Sequence, residues 1–161
     1  MNDLVRIGLG GGCHWCTEAV FQSLKGVKKV DQGYISASND TDTFFEGVIV
    51  HFNPEIINLE ILIEIHLKTH QSAKNHSLRS RYLSAIYAFD KLQYAEAKNK
   101  LKRLSEQSLD FITQVHFLGE FKASREQITN YYKTDPERPF CKKYIVPKLE
   151  LIQNDFVNYI K

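Results

Sequence analysis

Gly10-Gly11-Gly12-Cys13-His14-Trp15-Cys16 is the stretch whose residue types and spacing point most directly to chemistry. Three glycines lead into a thiol, and from His14 onward Trp15, Ala19, Val20, Phe21 and Leu24 recur at helical spacing, with Gly26 expected at the C-cap. A thiol on the first turn of a helix meets unpaired backbone N–H groups and the positive end of the helix dipole. Both favour thiolate, and the glycines leave the approach to the sulfur open. Cys13 is therefore the expected nucleophile. Cys13 and Cys16 also have the spacing of a redox dithiol or of half a zinc site, for which His66 and His70 would be the other half. Both histidines suit ordinary helix positions, and no metal is expected. A dinucleotide fingerprint is not made by Gly8 and Gly10, because Cys13 stands where the third glycine belongs.

The elements that must carry this segment follow from the patterning. Leu4 to Leu9 reads as a strand entering the glycine turn, and Val27 to Ile35 and Glu46 to Phe52 read as two more strands joined by a polar loop over Ser36 to Thr43. Pro54 precedes an amphipathic helix over Leu59 to Leu67 with Asn58 as N-cap. Tyr82 to Phe89 is expected to be a strand, Asp90 to about Ser105 a polar helix, Phe111 to Leu118 the last strand, and Ser124 to Tyr132 a short helix. Pro139 and Pro147 bracket a segment leading to a C-terminal helix. This mixed order suits an α+β fold: a two-layer sandwich with helices packed on a mostly antiparallel or mixed sheet.

Bulk properties narrow the function. A chain of 161 residues fits one domain, 1–161, and 43% hydrophobic with 25% charged residues is the balance of a folded, soluble protein. A net charge of +2 gives no footprint for nucleic acid or an anionic membrane, and the basic stretch Lys98 to Arg103 reads as a solvated helix face. No apolar run approaches the roughly 18 residues of a membrane span, and the polar start of the chain does not read as an export signal. A cytoplasmic protein is expected, whose three cysteines are reactive or incidental rather than a disulfide framework.

The run from Gly11-Gly12-Cys13-His14-Trp15-Cys16 through Thr17-Glu18-Ala19-Val20-Phe21 resembles the signature of the A-type peptide methionine sulfoxide reductases, which ordinarily read Gly-Cys-Phe-Trp. The resemblance extends along the chain. Gly33-Tyr34, Glu46 with Gly47-Val48-Ile49-Val50, Phe52-Asn53-Pro54, Tyr82 with Ser84-Ala85-Ile86-Tyr87, and Pro139-Phe140-Cys141 with Pro147-Lys148-Leu149 match the family in order. His14 replaces a phenylalanine, the tract between Tyr34 and Glu46 is shortened, and the aromatic and histidine motif near Phe121 to Tyr131 is largely replaced.

The resemblance implies reduction of the S epimer of methionine sulfoxide, free or in oxidised proteins, through a sulfenic acid on Cys13. Glu46 would be the proton donor, and the phenols of Tyr34 and Tyr82 would hydrogen-bond the developing oxyanion. Trp15 and His14 would line the substrate pocket. Ser77 stands where an aspartate ordinarily receives the substrate's backbone nitrogen. Cys16 and Cys141 are both candidates for the thiol that resolves the sulfenic acid. An external thiol, a thioredoxin-like donor or dithiothreitol, would complete the cycle with no bound cofactor. Two other readings stay open: a Cys13/Cys16 disulfide oxidoreductase, and a sulfoxide- or thioether-binding module that has lost turnover.

Overall fold

The computed structural model describes residues 4–70, 83–107 and 112–161. Strand β1, Val5–Gly10, pairs antiparallel with β3, Asp40–Phe52, and β3 pairs antiparallel with β2, Val27–Ala37. On its other side β2 meets β5, Gln114–Ala123, in antiparallel fashion; β5 runs parallel to β4, Ala85–Ala88, and β4 returns to β1. The mixed sheet with packed helices is as the sequence leads one to expect. The patterning did not show that the sheet closes into a ring of five strands. Closure accounts for the near-continuous apolar run of β1, whose last four residues are all buried between β3 and β4.

Helix α1, His14–Gln22, packs Val20 and Phe21 into the main core together with Leu62, Ile63 and Ile65 of α2, Leu59–Lys68. The Asn58 side chain accepts from the Ile61 N–H at 2.9 Å, a cap whose loss costs about 1 kcal/mol. Helix α3, Lys91–Gln107, contacts α2, β4 and β5. A short helix α4, Tyr131–Thr134, and a π-helical turn over Cys141–Ile145 that feeds α5, Val146–Asp155, pack around α1.

Several boundaries differ from the sequence reading for local reasons. Helix α1 stops at Gln22, where Ser23 turns back and donates its hydroxyl to the Val20 carbonyl, so Gly26 lies beyond the cap, in the approach to β2. The expected polar loop from Ser36 to Thr43 is a tight hairpin with only Ser38 and Asn39 between strands. Its polar residues serve β5 instead: the Ser36 hydroxyl accepts from the Glu120 N–H at 3.0 Å, and the Ser38 N–H reaches the Phe117 carbonyl. The helix expected over Ser124 to Tyr132 is split into a 3-10 turn, Glu126–Ile128, and α4 by Asn130, which takes a left-handed φ of 53°.

Candidate functional site

The geometry begins at the end of β1. Gly10 is the cross-strand partner of Gly47, so the chain leaves the sheet beside Glu46 and turns at once into α1. Gly11 makes the turn with a φ of 140°, and a Cβ there would meet the His70 ring at 2.7 Å. The turn is braced from below by His66, whose Nε2 donates to the Gly10 carbonyl at 2.8 Å, and by His70, whose Nε2 pairs with the Ser84 hydroxyl at 2.8 Å. Complete burial pushes the His66 imidazole down to about 4, so it is neutral at ordinary pH. These two histidines serve the turn, and among the described residues no three His, Cys, Asp or Glu side chains are grouped as metal ligands.

Cys13 is the N-cap residue of α1, half-buried, with extended backbone angles. Two distinct surroundings meet at its sulfur. On the sheet side, Glu46 is 3% exposed and its Oε1 accepts the His14 backbone N–H at 3.2 Å. The His14 ring, 4% exposed, reaches the same oxygen with Nε2 at 3.3 Å and the Gly33 carbonyl with Nδ1 at 3.0 Å. Tyr34, the cross-strand partner of Glu46, stands edge-on to the His14 ring with centroids 5.3 Å apart and is 38% exposed, so its phenol opens to solvent.

On the helical side, Cys13 packs against the buried cluster of Cys16, Ala19, Cys141 and Ile145. A hydrogen bond joins the two α1 thiols. It raises Cys13, as does burial, while the Trp15 N–H acts in the opposite sense; the same bond lowers Cys16, and Lys148 adds to that lowering. The helix N-terminus thus faces two hydrogen-bonded sulfurs rather than one. Lys148, on α5, donates to the Thr69 carbonyl, and burial holds its amine below the usual lysine range. Cys141 is buried against Cys16, its thiol pushed up by burial and donating to the Asp135 carbonyl at 3.6 Å.

Trp15 lies flat on Tyr131, centroids 4.0 Å apart and planes within 4°, with Phe140 edge-on at 5.4 Å. The fold thus brings Cys13, His14, Glu46, Tyr34, Trp15, Cys16 and Cys141 to one end of the sheet. Tyr82 and Ser77 lie outside the described residues. Sequence reasoning gave no role to three contributors. Tyr131 forms the stacking wall; Glu18, buried, accepts the Asn130 and Tyr131 N–H groups and a Gln32 amide N–H, fixing α4 against α1; Lys148 faces the thiols. Glu18 left a signal, being an acidic residue one turn after His14 on the helix's apolar side, whereas Tyr131 and Lys148 left none beyond their types.

Comparison with known proteins decides what this arrangement belongs to. The family model described as peptide methionine sulfoxide reductase matches residues 5–159. The chain belongs to the peptide methionine sulfoxide reductase family. A relative from a Psychrobacter species, named peptide methionine sulfoxide reductase MsrA, is 32% identical over 168 residues, covering 94% of this chain and 96% of that one. A second, of the same name from a Nitratiruptor species, is 30% identical and covers 95% and 97%. The fold is shared with the crystal structure of Mxr1 from Saccharomyces cerevisiae in reduced form, with a TM-score of 0.76, 18% identity and coverage of 86% and 90%. Mxr1 has also been crystallised in complex with Trx2, and that structure matches with a TM-score of 0.63 at 19% identity, covering 78% and 84%.

Proposed function

We propose that this single domain, residues 1–161, reduces the S epimer of methionine sulfoxide to methionine with Cys13 as nucleophile. The observation that carries the reading is the convergence of the Cys13 thiol, at a helix N-terminus, with the buried carboxyl group of Glu46, which accepts the N–H of the next residue, His14. The thiolate attacks the sulfoxide sulfur, the oxygen passes to Cys13, and Glu46 gives that oxygen a proton. The substrate sulfur gains two electrons and Cys13 loses two, leaving a thioether, a cysteine sulfenic acid and the Glu46 carboxylate. Trp15, stacked on Tyr131, supplies the flat apolar wall for the S-methyl group, with the His14 ring facing Tyr34 on the sheet side. Tyr34, and Tyr82 from outside the described residues, hydrogen-bond the oxygen as charge builds on it. Ser77 is assigned to the substrate's backbone nitrogen on the family resemblance alone.

Cys16 is the resolving thiol favoured by position. It is already hydrogen-bonded to Cys13, it has the lowered pKa, and Cys141 shares its buried cluster as a further thiol for exchange. Condensation of the sulfenic acid with the Cys16 thiol releases water and forms a disulfide, which a thioredoxin-like donor or dithiothreitol reduces. No cofactor is required by this scheme, and the cytoplasm is the compartment that supplies such donors.

Reduction of the S and R epimers of a methionine sulfoxide peptide with dithiothreitol tests the reading. Stereospecific loss of the S epimer, falling about a thousandfold or more in Cys13→Ser, is the expected result. Folded protein with a reactive Cys13 that turns over neither epimer would overturn it in favour of the binding-module reading.

A further inference from the structure

His14 carries this inference through its hydrogen bonds. The Gly33 carbonyl is an acceptor only, so the Nδ1 that faces it at 3.0 Å carries a hydrogen. Nε2 is then the only titrating atom of the ring, and it faces Glu46 Oε1 at 3.3 Å. Two arrangements satisfy that contact. A neutral imidazole accepts from the protonated carboxyl group, or an imidazolium donates to the carboxylate. Each contains one proton, and the pair is electrically neutral in both.

The ring is not free to swing away. A Cβ on Gly33 would lie 2.2 Å from the Lys122 carbonyl, so the β2 backbone that presents the Gly33 oxygen is packed directly against β5. The His14 N–H sits on the same carboxylate oxygen, fixing main chain and side chain together. Removing water from such a pair penalises the fully deprotonated state, in which a lone pair on Nε2 faces a carboxylate.

We propose that His14 is a positioning residue for the proton of Glu46: a single proton is shared between Nε2 and Oε1, and it is the proton that passes to the sulfoxide oxygen. This rests on the reductase reading above. After transfer the pair is left as neutral imidazole and carboxylate, and it takes a proton back from solvent before the next turnover. Because two sites bind the one proton, removing either site weakens the hold on it. Among the described residues the other titratable groups around it are Cys13 and Cys16 on α1, whose thiols feel the Glu46 charge, Tyr34 on β2, and Lys148 on α5, which faces the thiols.

Two measurements on the reduced full-length chain test this. In nitrogen NMR of the imidazole, assigned by loss of its signals in His14→Gln, Nδ1 is expected to stay protonated while Nε2 titrates, with a midpoint at least about one pH unit lower in Glu46→Gln. Equal midpoints in wild type and Glu46→Gln would show that no proton is shared and would overturn the proposal. In single-turnover reduction of the S epimer, the alkaline limb of the pH profile is expected to move down by about half a unit or more in both His14→Gln and His14→Phe. Glutamine retains an N–H for the carboxylate but cannot hold the proton. Recovery of the wild-type limb by His14→Gln would mean a merely structural ring and would equally refute the idea. Absence of turnover in wild type would sink the reductase reading and the delivery step with it, while the NMR comparison still decides whether the proton is shared.

Discussion

The two flanks of Cys13 are built differently. Toward the sheet, His14, Glu46 and Gly33 are fixed by strand register: Gly10 opposite Gly47, and Gly47 opposite Gly33, leave no freedom in where the carboxylate sits. Toward the helices, Cys16, Cys141 and Lys148 come from α1, a π-helical turn and α5, which are held by side-chain packing and by the Thr69 carbonyl. The proposed proton handling thus rests on paired strands. The proposed thiol exchange, which needs sulfurs to approach and separate, rests on packed helices. The proposed cycle divides along the same line, oxygen transfer on one flank and disulfide chemistry on the other.

That division can be broken from either side. Glu46→Gln is expected to lower the rate of oxygen transfer by roughly a hundredfold or more, while sulfenic acid made on Cys13 by peroxide is still resolved at the wild-type rate. Rapid-quench assay of methionine formation, beside thiol titration of the peroxide-treated protein, measures the two halves separately. A resolving step slowed as much as transfer would show that the flanks are not separable.

Both flanks hang on the glycine turn, and acid should loosen it. The His66 imidazole is held near 4 by burial, below the usual value near 6.5 in the unfolded chain. Between these values the unfolded chain binds the additional proton, so stability falls as pH drops below about 6.5, by about 3 kcal/mol at pH 4. Urea unfolding of wild type and His66→Gln at pH 7.5 and pH 4.5 should show the acid penalty in wild type and a smaller one in the variant. An equal penalty in both would place the acid sensitivity elsewhere.

The smallest effect separates the two thiols of the helical flank. Cys16→Ser should leave the first turnover intact and reduce thioredoxin-coupled turnover by about tenfold, with Cys141→Ser changing it less than about twofold, since the bonded neighbour resolves first. The reverse ranking would transfer the resolving role to Cys141.

Much of this was readable from residues alone, and the reasons are local. Cys13 at its joint was legible because a strand pattern, a glycine run and a helical stripe meet there, each a short-range signal. Asn58 as a cap and the helix it starts were legible for the same reason. Glu46 was not, except through the family pattern, because an acidic residue within a strand has no local mark of burial; its position depends on its own pairing with Tyr34, 12 places away, and on that of its neighbour Gly47 with Gly10, 37 places away. The hairpin at Ser38 was misread as a loop since its polar residues bond to β5, more than 75 residues on. The coupling of the Cys13 and Cys16 thiols depends on rotamers and burial, which spacing alone does not set.

Closure of the sheet has a consequence for the company the protein keeps. With β4 paired to β1 on one side and β5 on the other, the described strands form a ring and expose no row of free backbone N–H and C=O groups along an open margin. A protein proposed to work on oxidised, partly unravelled chains meets many segments eager to add themselves as an extra strand. The described strands give them nothing to zip onto, so in the proposed cycle the hold on a damaged polypeptide rests on the residue that enters the site.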